Sequence, residues 1–198
     1  SDFLLYPESC YTAEFLRAYN EDEIVVFDTE TTGLNVFTDD IIEVAAIRIK
    51  GGEVVGEPLD LYIETDKPIL PKLGDKENPM YAIYHEKLAT GELLPPADAL
   101  QRFLAYVGTS PILGHNANYD YNILDNNLQR YCNDTMQAHP IRCFDSLKLI
   151  RLLAPSLHSY KLESLLETFH LTGVNSHQAI DDVRATVSLV RLCAEKAR

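Results

Sequence analysis

The sequence predicts an α/β fold in which a mixed sheet is flanked by helices, and three observations predict it. Three β-rich apolar segments come first, two of them joined across Gly51-Gly52. Helix-like and strand-like segments then alternate between residues 97 and 153. Helical stretches close the chain, the last with Ile180, Val183, Val187, Val190 and Ala194 on one stripe.

Taken in order, residues 3–20 read as a leading helix with Phe15, Leu16 and Tyr19 as packing residues. Residues 23–30 form a strand around Ile24-Val25-Val26-Phe27, a short apolar run with polar flanks. Strands at 41–50 and 53–63 follow as a hairpin, and the Pro- and Lys-rich residues 66–79 make a loop. Leu100, Phe103, Leu104 and Val107 share one face of a helix at 97–107. A buried strand at 111–114, a helix at 119–131 and a strand at 141–144 come next. Helices at 146–153, 162–169 and 179–196 complete the chain. This order fits a ribonuclease H-like fold with a mixed five-stranded sheet, although the pattern alone does not separate it from other α/β sheets. Residues 1–22 read as an N-terminal helical extension, and 23–198 as the main domain.

The 198 residues, 46% apolar and 24% charged, suit one domain with a full core. No apolar run is long enough to span a bilayer, and residues 1–6 lack the basic start of a secretory signal. Cys10, Cys132, Cys143 and Cys193 lie far apart and form no C-x-x-C pair, as expected of reduced thiols in the cytoplasm. Ser1 in place of methionine suggests a processed or excised piece with further domains beyond it. The net charge of −13 runs against nucleic-acid binding, but it is unevenly spread. Residues 53–98 carry ten acids against four bases, whereas 137–162 carry Arg142, Lys148, Arg151 and Lys161 against Asp145 alone. Such a basic strip could hold phosphates while the remainder of the molecule repels them.

Three segments carry the chemistry: Phe27-Asp28-Thr29-Glu30-Thr31-Thr32-Gly33, His115-Asn116-Ala117-Asn118-Tyr119-Asp120 and His177-Gln178-Ala179-Ile180-Asp181-Asp182. On a strand, Asp28 and Glu30 point to the same side, and two close carboxylates repel unless a cation lies between them. Hard oxygen donors favour Mg²⁺ or Mn²⁺. The plainer reading is a solvated strand end with Thr-Thr-Gly turning the chain. A calcium loop fits D-x-[DN]-x-[DN]-G in part, but a strand precedes it and Asp39 stands where a bidentate Glu belongs. Asp120 and Asp182 each fall at a helix start, where an acid also serves the helix dipole, and Asp181 is the ordinary acid of its pair. A histidine before a helix is commonly only a solvated or capping residue. All three segments, in this order and on suitable elements, make chance a poor account of the set.

Together these motifs resemble those of the DEDDh family of 3′-to-5′ exonucleases, and most nearly the epsilon proofreading type of bacterial DNA polymerase III and its stand-alone relatives. The resemblance spans 23–198 and extends to Ile41-Ile42-Glu43-Val44-Ala45-Ala46, Asp145-Ser146-Leu147 and Tyr160-Lys161-Leu162-Glu163-Ser164-Leu165. It implies that 23–198 is the exonuclease domain and that Asp28, Glu30, Asp120 and Asp182 hold two Mg²⁺ or Mn²⁺ ions. Asp28 would bridge the ions, Glu30 and Asp182 would support the water side, and Asp120 the leaving-group side. His177 would be the general base. By the same resemblance, backbone near Thr31 and Gly33 contacts the terminal nucleotide, Leu34 packs on its base and Asn116 positions the strand. His85 stands where relatives carry a substrate-contacting histidine, with Glu86 in place of their usual Gly. The implied substrate is nucleic acid with a free 3′ end, single-stranded or frayed DNA foremost, in proofreading or repair with a DNA polymerase as partner. The alternatives are an exoribonuclease of the same chemistry and a non-catalytic exonuclease-like domain that binds nucleic acid.

Overall fold

A computed structural model describes residues 8–174, 176 and 178–198, with backbone alone for residues 8 and 9. The central strand, β1 (Ile24–Thr31), runs antiparallel to β2 (Ile41–Lys50). On its other side it runs parallel to β7 (Ile112–Gly114), and β7 runs parallel to β8 (Cys143–Asp145). The free edge of β2 pairs with β3 (Glu53–Val54) at one end and β4 (Leu59–Tyr62) at the other. The sheet is therefore mixed and five strands wide, with two segments sharing the outermost position.

That sharing corrects the expectation of one strand at 53–63. Gly56 adopts positive φ (72°) and Pro58 lacks an amide donor, so the ladder breaks between β3 and β4. The hairpin itself forms as expected, with Gly51 and Gly52 at φ 56° and 86°, the pair of positive values that a tight turn matched to strand twist requires.

Strand alternation sorts β1 between two cores. Ile24 and Val26 face a core built from α1 (Glu8–Glu21), α5 (Ser146–Leu153), α6 (Leu162–Thr168) and α7 (Ala179–Ala197). Val25 and Phe27 face the opposite core, against α3 (Pro96–Val107) and α4 (Ala117–Cys132). The leading helix contributes fully buried Tyr11 and Phe15, packed on Phe144, together with Tyr19 and a partly buried Leu16.

Two elements were not anticipated. The stretch read as a loop at 66–79 contains a small hairpin, β5 (Lys72–Leu73) with β6 (Lys76–Glu77). It leads into α2 (Pro79–Thr90), whose Met80 and Tyr84 are buried with Ile42. Asn78 caps this helix by accepting from the Met80 amide at 3.1 Å, and Gly91 ends it in the left-handed region. Among the described residues, no helix is long and apolar enough to cross a membrane.

Because Phe15 is wholly enclosed, Phe15→Ala should cost about 3–5 kcal/mol of folding stability in urea denaturation. A cost within about 0.5 kcal/mol, as for a surface site, would show that α1 is dispensable to the core.

Candidate metal centre

The same alternation that divides the cores aims the acids. Asp28 and Glu30 fall in phase with Ile24 and Val26, on the α7 side of the sheet. Asp182 comes from the first turn of α7. Carboxylate oxygens of Asp28, Glu30 and Asp182 all lie within 4.8 Å of one another. Octahedral Mg²⁺ with ligands near 2.1 Å holds adjacent oxygens about 3 Å apart and opposite ones about 4 Å apart, so the three oxygens would draw together around a cation. Among the described residues, no lysine or arginine forms an ion pair with Asp28, Glu30 or Asp120. All-oxygen, anionic and without a basic partner for those three acids, the set fits a hard divalent cation.

Asp120 approaches from the other face, on α4. Thr29 points away from Asp28 and Glu30, and its hydroxyl donates to Asp120 Oδ1 at 2.5 Å. One strand thus carries two acids on one side and holds the third on the other. The start of α4 is fixed by Asp145, whose carboxylate accepts from the amides of Asn116 (2.9 Å) and Ala117 (3.1 Å), and also from Leu147 at the start of α5 (2.8 Å). The Asp145 amide in turn donates to the Tyr11 hydroxyl of α1 at 2.7 Å. The start of α7 is fixed by buried Glu43, opposite Glu30 in the β1–β2 register, which accepts from the Ala179 amide at 2.9 Å.

Burial and mutual repulsion show in the titration of these groups. Asp28 is pushed well above the usual carboxylate range by desolvation, then by Asp120, Glu30 and Asp182. Glu30 is raised to about 8 by desolvation, then by Asp182 and Asp120. Asp120 is raised to about 7 by desolvation, against the opposing hydrogen bond from Thr29. Glu43 is raised to about 9 by desolvation and by neighbouring Asp60.

Among the residues expected to touch substrate, Thr31 and Gly33 are brought together. Thr31 Oγ1 and Tyr119 OH each donate to the Gly33 carbonyl at 2.8 Å and lie 2.7 Å apart. A Cβ on Gly33 would sit 2.6 Å from Asp39 Oδ2, so a larger residue would push that carboxylate off the Thr32 hydroxyl and the Asn35 amide. Leu34 is 87% exposed and Phe37, not anticipated, is 71% exposed, which leaves an apolar surface on this loop. Arg130 braces it by donating to the Phe37 and Asp39 carbonyls, each at 2.7 Å. Asn116 is exposed, with a left-handed backbone (φ 64°). His85 lies on the exposed face of α2, its ring tilted against that of Tyr81 with Nδ1 donating to the Tyr81 carbonyl at 2.7 Å; no contact among the described residues joins it to the acids. His177 lies outside the described residues. Its neighbour Ser176 donates to Asp181 Oδ2 at 2.6 Å, which gives the acid read as ordinary a tethering role.

Thr29, Tyr119, Glu43 and Asp145 had no assigned role in the sequence. Glu43 could have been found as the lone acid in the apolar run of β2, and Asp145 as an acid closing a strand before a helix.

A family model described as an exonuclease, RNase_T, matches residues 25–190. PolC-type DNA polymerase III of Oceanobacillus iheyensis is 32% identical over 178 residues, covering 86% of this chain and 11% of that protein. The Thermotoga maritima PolC is 32% identical over 171 residues, covering 86% and 12%. Escherichia coli exonuclease I, solved with a dT13 oligonucleotide, superposes with a TM-score of 0.68 at 25% identity, covering 86% of this chain and 40% of that one. The chain thus spans about an eighth of the polymerases it matches. A ribonuclease H-like sheet with acids gathered at the end of its central strand defines a metal-dependent 3′-to-5′ exonuclease domain of the epsilon type. The chain belongs to the exonuclease family RNase_T.

The raised carboxyls set a pH dependence. Glu30 binds its proton more tightly folded, with a pKa of about 8, than at its ordinary value of 4.5. Protonation therefore stabilises the fold below that window, and this stabilisation is lost as pH rises through about 8. Metal-free wild type should lose more melting temperature than Glu30→Gln between about pH 5.5 and about pH 8.5. Because the cation needs ionised ligands, Mn²⁺ should raise the melting temperature more at the higher pH. Equal stabilisation by Mn²⁺ at both pH values would speak against these acids as ligands.

Proposed function

We propose that this chain hydrolyses the terminal phosphodiester at the 3′ end of DNA, releasing nucleoside 5′-monophosphates. The observation that carries the reading is the convergence of Asp28, Glu30 and Asp182 from separate segments, with oxygens within 4.8 Å of one another. Two divalent ions, Mg²⁺ or Mn²⁺, would when bound neutralise the scissile phosphate and lower the pKa of the attacking water. Asp28, Glu30 and Asp182 would hold them from the α7 side and Asp120 from the α4 side. Thr29 holds the Asp120 carboxylate on that side of the strand. His177, in the segment just before α7, would take the proton of the attacking water at a ring nitrogen, a task suited to a group that titrates near neutrality. Leu34 and Phe37, exposed on a braced loop, offer a face on which the terminal base can pack.

The relatives support DNA as the polymer, since they include DNA polymerases and an exonuclease solved with dT13 and dA16 oligonucleotides. The polymerases among them also favour a role beside DNA synthesis, in proofreading or repair. A chelator should abolish release of mononucleotides from a 3′-labelled oligonucleotide, and Mg²⁺ or Mn²⁺ should restore it. Asp28→Ala should bring turnover below detection, and His177→Ala should lower kcat roughly 10²–10⁴-fold at neutral pH. Wild-type turnover in Asp28→Ala would remove the acid cluster from the mechanism. Faster digestion of an RNA oligomer than of its DNA counterpart would instead make the enzyme an exoribonuclease.

A further inference from the structure

Beside the start of α4 lies a groove of about 680 Å³ that contains none of the four acids. Asn116, one turn before Asp120, lines it, and its charged lining is Lys76, Arg151, Lys161 and Glu163. These residues come from distant parts of the chain: Lys76 from the β5–β6 hairpin, Arg151 from the last turn of α5, and Lys161 from the residue before α6. A second hollow shares Leu147 and Arg151 with it and adds Lys148 beside Asp145, so two of the basic residues, Lys148 and Arg151, lie along α5.

The walls are fixed. His115 Nε2 donates to the Tyr160 carbonyl at 2.7 Å and Nδ1 meets the Ser146 hydroxyl at 2.9 Å, which ties the start of α4 to the segment carrying Lys161. Arg151 lies over the Tyr160 ring, 5.4 Å from its centroid. Lys76, Arg151 and Lys161 are exposed, and among the described residues none forms an ion pair. Arg142, the other base in the strip expected from sequence, is instead bound to Asp22 at 2.7 Å. In a chain of net charge −13, a groove with three unpaired bases and one acid is a local reversal of sign.

We propose that this groove is a phosphate track: it binds the backbone of the single strand on the 5′ side of the scissile bond. Lys76, Arg151 and Lys161 meet successive phosphates, and this grip on the backbone carries no base preference. The assignment rests on the exonuclease reading for the polarity of the strand, while the binding itself does not require turnover.

The test compares wild type with the triple variant Lys76→Ala, Arg151→Ala, Lys161→Ala on two probes. One is a fluorescent dT16 oligonucleotide, and the other an aryl ester of thymidine 5′-monophosphate, which is too short to enter the groove. The variant should bind dT16 at least tenfold more weakly at low salt. The slope of log K against log salt should shrink by about 2, near 0.7 for each phosphate of a single strand that the variant no longer neutralises. Its loss in kcat/KM on dT16 should exceed its loss on the ester at least tenfold. Glu163→Gln should tighten dT16 binding. Wild-type affinity and salt slope in the triple variant, or equal losses on both probes, would overturn the track. Groove-dependent binding by a wild type that hydrolyses neither probe would instead refute the exonuclease reading and leave the track standing.

Discussion

One constraint shapes the centre: Asp28, Glu30 and Asp120 are held near one another, and among the described residues none of these three is ion-paired with a lysine or arginine. A basic partner would quench the repulsion, but it would also occupy the place of a cation. The chain solves this by fixing the acids through their frames rather than through their charges. β1 pairs with β7 at Val25 and Val26 and with β2 through Asp28 and Glu30, which fixes the backbone that carries both acids. Thr29, on the reverse side of the same strand, holds Asp120 through a hydroxyl, a donor that orients a carboxylate without neutralising it. The cost of burying these acids remains in the folded protein: desolvation first, and neighbouring acids second for Asp28 and Glu30, raise their affinities for protons. Strain of this kind at a site persists only where the surrounding structure is strong enough to carry it.

The supports follow one pattern. Each helix that delivers an acid begins on a buried carboxyl group that accepts from its first amides: Asp145 for α4 and Glu43 for α7. A helix start leaves amides unsatisfied, and an acid placed there both caps them and fixes the helix in position. Asp145 also caps α5, so one side chain sets the relative placement of two helices. The acids of the fold therefore serve two roles, separated by what they face. Those facing amides organise the scaffold, and those facing each other remain available for a cation.

Much of this was legible in the sequence where it depends on local periodicity. Alternation along residues 24–30 gives the strand and the shared direction of Asp28 and Glu30, and the stripe from Ile180 to Ala194 gives α7. What escaped depends on tertiary contact. The helix α2 has weak amphipathic patterning and buries only Met80 and Tyr84, so its one clear local signal was Asn78-Pro79 at its start. Tyr11 looks like any aromatic residue in a leading helix until its hydroxyl is found against the Asp145 amide. The basic strip could be read as a cluster in 137–162, but not that Arg142 is spent on Asp22 or that Lys76 supplies charge from elsewhere. A charge run in sequence says which residues are available; only the fold says which remain unpaired.

The leading helix illustrates how far the site's support reaches. The family model begins at residue 25, beyond the end of α1 at Glu21. Yet Tyr11 and Phe15 pack on Phe144 of β8, and Tyr11 accepts from the amide of Asp145, the residue that caps α4. The line from α1 to Asp120 thus passes through one hydroxyl, one peptide and one carboxylate. Tyr11 is wholly buried, and desolvation raises its hydroxyl pKa far above the ordinary tyrosine value, so it stays neutral throughout the physiological range. A neutral acceptor holds the Asp145 peptide in place without adding charge beside the Asp145 carboxylate. The helix that precedes the family's matched region is therefore part of the scaffold on which the centre's geometry depends.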